Sequence, residues 1–230
     1  MRLPRVSRPL RLVIYVVLAL LLLPYLLTPL YAVVNPVSTV MLWRQLTGQR
    51  VEHHYVPLSR IDPDLPLAVL IAEDGRFCSH HGVDFTEIRE AIEDAEGLSD
   101  VRGGSTITQQ VAKNLFLWPG RSFIRKGLEF PLSLWIDLVL PKRRVMEIYL
   151  NIAEWGPGGE FGAEAGSRRA FGRSVDGLTR YQAALMAAML PNPVTRDAKR
   201  PGPGLRRLAG LYEGRASRSP ETANCLKSGK

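Results

Sequence analysis

Pro66-Leu67-Ala68-Val69-Leu70-Ile71-Ala72-Glu73-Asp74-Gly75-Arg76-Phe77-Cys78-Ser79-His80-His81-Gly82 is an apolar stretch that ends in two adjacent acids and runs straight into a loop. An unpaired charge loses its hydration when buried, so two carboxylates at the inner end of a buried helix are costly to place. A chain that keeps them there usually uses them. The competing reading is a helix end that faces water.

Thirty residues on, a second block weakens that competitor. Gly103-Gly104-Ser105-Thr106-Ile107-Thr108-Gln109-Gln110-Val111-Ala112-Lys113-Asn114 places Ile107, Val111 and Leu115 at i, i+4, i+8, one apolar helical stripe. Thr106, Gln109, Gln110 and Lys113 fall roughly opposite. Solvated helix faces are made of Glu, Lys and Arg, whereas this one is amides, hydroxyls and a single cation. Such a face suits a neutral polyhydroxyl ligand with one anionic group. Ser105 reads as the N-cap, and the Gly-Gly pair lets a ligand approach the backbone at the helix start. An exposed amphipathic helix of odd composition is the bland alternative.

Arg121, Arg125 and Lys126 then cluster within six residues, and Glu129 follows three after the pair. With Lys113 they suit a diphosphate, because fixed cations pair strongly with phosphate oxygens; a plain solvated charge run competes. Lys142-Arg143-Arg144-Val145-Met146-Glu147-Ile148-Tyr149-Leu150-Asn151 carries Val145, Ile148, Tyr149 and Ile152 at helical spacing and reads as a structural helix.

Taken in order, EDGRFCSHHG (73–82), GGSTITQQVAKN (103–114), RKGLE (125–129) and KRRVMEIYLN (142–151) resemble the four motifs of the peptidoglycan glycosyltransferase family over about residues 60–195. Val145-Met146 departs from the usual Ile-Leu and keeps apolar volume. The resemblance implies a mainly α, lysozyme-like catalytic domain with a small membrane-proximal lobe. It also implies catalytic roles for Glu73 and Glu129. Substrate contacts follow for Asp74, Phe77, His80, Ser105, Thr106, Thr108, Gln109, Gln110, Lys113, Asn114, Arg121, Arg125 and Lys126. No Ser-x-x-Lys and no Lys-Thr-Gly occurs in the chain. The expectation is therefore a monofunctional polymerase without the penicillin-binding chemistry those motifs carry.

The N-terminus agrees on separate physics. Leu12–Val34 spans 23 residues without Asp, Glu, Lys, Arg or His, about 34 Å as a helix, enough to cross a bilayer. Arg2, Arg5, Arg8 and Arg11 precede it, which puts the N-terminus in the cytoplasm and the catalytic part beyond the inner membrane. A cleaved signal peptide competes, but no small-x-small cleavage site follows clearly. The expected organisation is a basic cytoplasmic 1–11, an anchor at 12–34, the catalytic domain at 50–195 and a tail at 196–230. Residues 196–230 hold nine Lys or Arg against three acids, and read as poorly ordered beyond a short helix near Leu205–Tyr212. The net charge of +8 points to lipid or wall polyanions. No nucleic-acid-reading motif accompanies it.

Cys78 and Cys225 leave open whether they pair, and His53-His54 with His80-His81 lack zinc spacing. Helices are expected near 12–30, 36–47, 65–74, 84–95, 105–117, 122–140, 142–154, 161–171 and 179–190, with a short strand in 51–57. Leu115–Trp118, Phe123–Ile124 and Phe130–Val139 read as the membrane-facing lobe.

The implied reaction elongates a glycan held on a polyprenyl diphosphate, with a lipid-linked disaccharide-peptide as acceptor and Glu73 as base. No cofactor is required, although the diphosphate leaves room for a divalent cation. The expected partners are this precursor, the growing glycan, the membrane and cell-wall or division proteins. A lytic enzyme of similar fold would need one acid but no diphosphate-binding cations. An anchored scaffold would leave Glu73 and the Gln-Gln face unexplained.

Overall fold

The computed structural model describes residues 7–93, 104–120 and 122–227. Their helices are α1 (Arg8–Leu27), α2 (Thr39–Leu46), α3 (Asp64–Glu73), α4 (Phe85–Glu93), α5 (Ile107–Phe116), α6 (Phe123–Val139), α7 (Lys142–Ile152), α8 (Ala163–Phe171), α9 (Arg180–Met189), α10 (Pro203–Arg218) and α11 (Asn224–Lys227). The mainly α expectation holds, and the helices lie close to where periodicity puts them.

α3 is apolar along its whole length, and Leu65 to Leu70 are all buried. A helix without a polar face belongs at the centre of a domain. It packs along α9, whose residues Ala183 to Met189 are likewise buried. Four alanines on α9 let the two backbones approach closely. The capping box expected at Thr179 is present: Thr179 Oγ1 accepts from the Gln182 N–H at 3.2 Å, and Gln182 Oε1 accepts from the Thr179 N–H at 3.0 Å. α5 lies between α6 and α7, with Ile107, Val111 and Leu115 all in the core.

Only two residues of the 51–57 stretch form a strand. β1 (Glu52–His53) pairs in parallel with β2 (Glu160–Phe161). The pair fixes the segment after α2 against the loop after α7.

Among the described residues one helix, Arg8–Ala32 including a terminal 3-10 turn, is long and apolar enough to cross a membrane, and none of α1 is buried in the protein. It is nonetheless joined firmly to the domain. The Arg144 guanidinium donates to the carbonyls of Tyr31 at 2.7 Å and Val34 at 2.8 Å. The Trp135 indole donates to the Tyr25 carbonyl at 3.1 Å, and Tyr31 stacks on Phe116. Beyond it, Thr39 Oγ1 donates to the carbonyls of Asn114 and Leu117 at the end of α5. Those groups have no partner within a helix.

The tail departs from expectation. α10 runs for 16 residues and is followed by a 3-10 turn and α11, with Leu205, Ala209, Ala216, Ala223 and Leu226 buried. Sparse apolar side chains at three- and four-residue spacing form a docking stripe that the surrounding Arg, Gly and Ser conceal in composition. α10 packs on α9 and α3. Cys225 is disulfide-bonded to Cys78 with Cα atoms 5.6 Å apart, so the question left open by sequence resolves to a pair.

Candidate active site

Glu73 and Asp74 sit at the end of α3 and face different tasks, because successive helical residues point about 100° apart. Asp74 is buried; one carboxylate oxygen accepts from the Ile107 N–H at 2.9 Å, and both face His80 Nε2 at 3.0 and 3.1 Å. A carboxylate at a helix N-terminus satisfies a free N–H and favours the helix dipole. Asp74 and His80 therefore dock α5 onto the loop after α3. Gly82 closes that loop at φ +79, and a Cβ there would run into the backbone of Ser133 on α6. Phe77 is wholly buried beneath the Lys142 ammonium, 4.4 Å from its ring centre. Asp74, Phe77 and His80, expected at the substrate, support the cleft from behind.

The same correction applies to the start of α5. Thr106, not Ser105, is the N-cap: Thr106 Oγ1 accepts from the Gln109 N–H at 3.1 Å and Gln109 Oε1 from the Thr106 N–H at 3.0 Å. The capping box consumes both polar ends, and Thr106, Thr108 and Gln109 are buried. The amide-and-hydroxyl face reduces to Gln110, Lys113 and Asn114, which do line the cleft.

Glu73 is partly buried, and its Oε2 accepts from the Gln110 amide at 2.9 Å. Gln110 Oε1 in turn accepts from the Tyr149 hydroxyl at 3.2 Å. Tyr149, read from the sequence only as a structural position, thus fixes the amide that orients Glu73. Burial holds the Glu73 pKa above the ordinary glutamate range; the Gln110 hydrogen bond and the charges of Lys113 and Arg196 pull it back. Arg196 was assigned to the loose tail. Its guanidinium donates to the Ala188 carbonyl at 2.7 Å, which holds it near the end of α9.

Lys113, one turn beyond Gln110, is the hinge of the site. Burial lowers its pKa, Glu129 and Glu73 raise it, and Arg125 and Lys126 lower it further. Those influences place Lys113 in electrostatic reach of both carboxylates and both cations. Two cavities meet at Lys113, Asn114 and Val40. One, of about 240 Å³, runs past Gln110 and Tyr149 towards Pro191 and Pro193. The other, of about 350 Å³, runs past Trp118 to Arg125.

Glu129 is buried on α6 and forms an ion pair with Arg125; Lys126 Nζ lies 3.2 Å from its second oxygen and donates to Ser105 Oγ at 2.8 Å. Arg125 Nε is buried without a partner among the described residues. An unpaired buried donor is costly unless a ligand completes it, and it stands beside the second cavity. Arg121 lies outside the described residues. Glu147 on α7 is structural: it accepts from the Leu58 N–H at 2.7 Å and from Tyr55 at 3.1 Å, and pairs with Arg144. Of the expected membrane-facing positions, Leu115 and Leu117 are core, whereas Phe123, Ile124 and Leu138 stand exposed.

Gln110, which holds the partly desolvated Glu73, lines one cavity, and Lys113 lines both that cavity and the second, which Arg125 also lines. Residues 40–209 match the family described as Transglycosylase. Curated relatives bear the name biosynthetic peptidoglycan transglycosylase. That of Nitrobacter hamburgensis is 62% identical over 92% of this chain and 93% of its own length. That of Rhodopseudomonas palustris strain TIE-1 is 59% identical over 99% and 96%, and that of Agrobacterium fabrum 50% over 93% and 95%.

Proposed function

The chain belongs to the transglycosylase family and is a glycosyltransferase of peptidoglycan synthesis, and we propose that it elongates glycan from a lipid-linked disaccharide-peptide with release of polyprenyl diphosphate. The observation that carries this reading is Lys113, which lines both cavities and lies in electrostatic reach of Glu73, oriented by Gln110, and of the Arg125–Lys126–Glu129 cluster.

Glu73 takes the proton from the acceptor sugar hydroxyl as that oxygen attacks the donor anomeric carbon from the face opposite the diphosphate. The new glycosidic C–O bond forms as the bond to the diphosphate oxygen breaks, and the configuration inverts. A base must be ionised yet basic enough to accept a proton, which a desolvated carboxylate provides. The departing charge is met by Lys113, Arg125 and Lys126, with Arg121 assigned to the same cluster. Fixed cations in a site sheltered from water stabilise developing charge strongly. Diphosphate is already a good leaving group, so no protein acid and no cofactor is assigned to it, which distinguishes this site from a hydrolase with paired carboxylates. Glu129 orients Arg125 and Lys126.

The anchor and its preceding arginines support a single-pass protein of the inner membrane with the cleft outside the cytoplasm. The Cys78–Cys225 disulfide supports the same side, since such bonds persist in oxidising compartments. No cross-linking activity is assigned, because Ser-x-x-Lys and Lys-Thr-Gly are absent from the sequence.

The test is incubation of the purified full chain with fluorescent lipid-linked disaccharide-peptide. Polymer, sensitive to a phosphoglycolipid that mimics the donor, supports the reading. Shortening of preformed glycan, or a covalent fluorescent-penicillin band on the protein, overturns it.

A further inference from the structure

α10 starts at the end of α9 where the Gln110 cavity opens, and runs away from it. Pro191 and Pro193, just past α9, line that cavity. α10 packs along α9 in the opposite sense, because Ser217 near its end accepts from the Arg180 guanidinium at 3.2 Å, at the start of α9. Its 16 residues carry the chain about 24 Å from the cavity. Over residues 198–218 six cations, Lys199, Arg200, Arg206, Arg207, Arg215 and Arg218, stand against one acid, Glu213. All six are exposed, and none forms an ion pair among the described residues. The adjoining acid, Asp197, is held by Arg169 at 3.2 Å. Leu205, Ala209 and Ala216 are the buried side of α10, so the arginines stand outward. Uncompensated like charge on one element opposes compactness. Gly210, exposed in mid-helix, weakens the helix relative to alanine, yet a Cβ there would meet nothing within 4 Å. No packing inside the chain demands that glycine, and it leaves the backbone open to close approach by a ligand.

We propose that the outer face of α10, with Lys199 and Arg200 leading to it, is a track for the growing glycan that holds the carboxylates of its peptides as the polymer leaves the cavity. This rests on the reading of the reaction given above and adds where the product goes. Each peptide of a disaccharide-peptide polymer ends in a carboxylate, so negative charge recurs along the polymer as cations recur along the track. On that reaction the donor diphosphate lies in the second cavity, at Lys113 and Arg125. The sugars behind it then occupy the first cavity and emerge past Pro191 and Pro193. Position selects this occupant over the bilayer: the anchor is held by Trp135 on α6 and Arg144 on α7, whereas α10 rests on α9 and α3. Exposed guanidinium–carboxylate contacts are individually weak and screened by salt, which suits a polymer that must slide as it lengthens. Several at once retain it.

Two measurements on the full chain in nanodiscs of neutral lipid test this. They compare wild type with the charge-reversed Arg206→Glu/Arg207→Glu/Arg218→Glu and the charge-conserving Arg206→Lys/Arg207→Lys/Arg218→Lys. The first is binding of lipid-free, uncross-linked glycan strands while the cavities are blocked by a saturating phosphoglycolipid. The charge-reversed variant is expected to bind about tenfold more weakly, as three lost exposed ion pairs imply, and the charge-conserving one as wild type does. In wild type, raised salt is expected to weaken intact strands, and strands stripped of peptide by an amidase are expected to bind as poorly as the charge-reversed variant binds intact ones. Stripped strands that bind like intact ones, a binding indifferent to salt, or equal binding by the charge-reversed variant each overturns the proposal. Charge reversal that abolishes binding to phosphatidylglycerol vesicles but spares glycan binding also overturns it and gives the face to the bilayer. The second measurement is polymerisation. Charge reversal is expected to leave the initial rate of precursor consumption unchanged and to shorten mean product length roughly threefold, since lost contacts appear in the off-rate. Unchanged length overturns the proposal. The binding measurement needs no turnover. Wild-type protein that binds intact strands through these arginines but makes no polymer would sink the assigned reaction and leave the track standing.

Discussion

The two ends of the cleft are built differently. At the Glu73 end the hydrogen bonds are closed within the protein: Tyr149 to Gln110, Gln110 to Glu73. The cation end rests on α6, whose Phe123 and Ile124 are 99% and 74% exposed and where Arg125 Nε lacks a partner among the described residues. The group that moves a proton needs a fixed, partly dry position that tunes its basicity. On the proposed reaction, the groups that would receive a diphosphate need access from the membrane and donors left open for oxygen ligands. Precision sits in the core and capacity sits at the surface, with Lys113 between them.

The sharpest break in that comparison is at the core end. Glu73→Gln keeps the Gln110 contact in shape but removes the base, and turnover is expected to fall by ~10²–10⁴-fold with little change in substrate binding. Single-turnover rates beside a binding isotherm measure both. A variant with a tenth of wild-type turnover would remove Glu73 from the chemistry. At the centre, Lys113→Ala removes a cation that both ends feel, and a loss of about 10²-fold in kcat/KM is expected. An effect under threefold would place the diphosphate elsewhere.

The pH profile separates the two ends without mutation. Burial raises the Glu73 pKa, so the base is lost to protonation at a pH above the ordinary glutamate range, and the acid limb lies there. Burial lowers the Lys113 pKa, so its charge is lost below the ordinary lysine range, which sets the alkaline limb. Lys113→Arg is expected to push only the alkaline limb upward, since a guanidinium stays charged. A profile whose two limbs both move would show that they do not belong to separate groups.

Tyr149→Phe deletes one hydrogen bond behind Gln110. A bond of this kind contributes about 1 kcal/mol, so roughly a fivefold fall in kcat is expected with KM unchanged. The smallest effect on catalysis is expected outside the cleft. Cys225→Ser frees the tail from the loop after α3; it should cost about 2–4 kcal/mol of stability, read as a lower melting temperature, with little change in rate at low temperature. A large fall in rate at unchanged stability would mean that the tail acts on the cleft directly.

Most element positions were legible because their signals are local. The Thr179 capping box and the Ile107–Val111–Leu115 stripe are written within a few residues. Glu73, Gln110 and Lys113 were legible as residue types that globular helices rarely combine, and the Arg125–Lys126–Glu129 group through the family resemblance, since alone it reads equally as a solvated charge run. What was not legible depends on long-range docking. Asp74 reads as a substrate contact until the Ile107 N–H arrives from 33 positions away. Gln109 resembles Gln110 until the capping box takes it. Arg196 approaches Glu73 only because α9 carries it there, and the ordered tail depends on a disulfide across 147 positions. No window of sequence contains those partners.

Arg144 hydrogen-bonds the backbone just past the anchor, while its own helix carries Tyr149 one and a half turns on. These bonds couple the apolar helix to the catalytic domain, so a tilt of that helix in a bilayer of different thickness is expected to be shared by the domain. A mismatch of hydrophobic lengths, worth fractions of a kcal/mol per ångström, is passed on as a tilt or a change of depth for the whole cleft. Turnover in bilayers of graded acyl-chain length is therefore expected to vary, and equal rates across that series would show that helix and domain move independently.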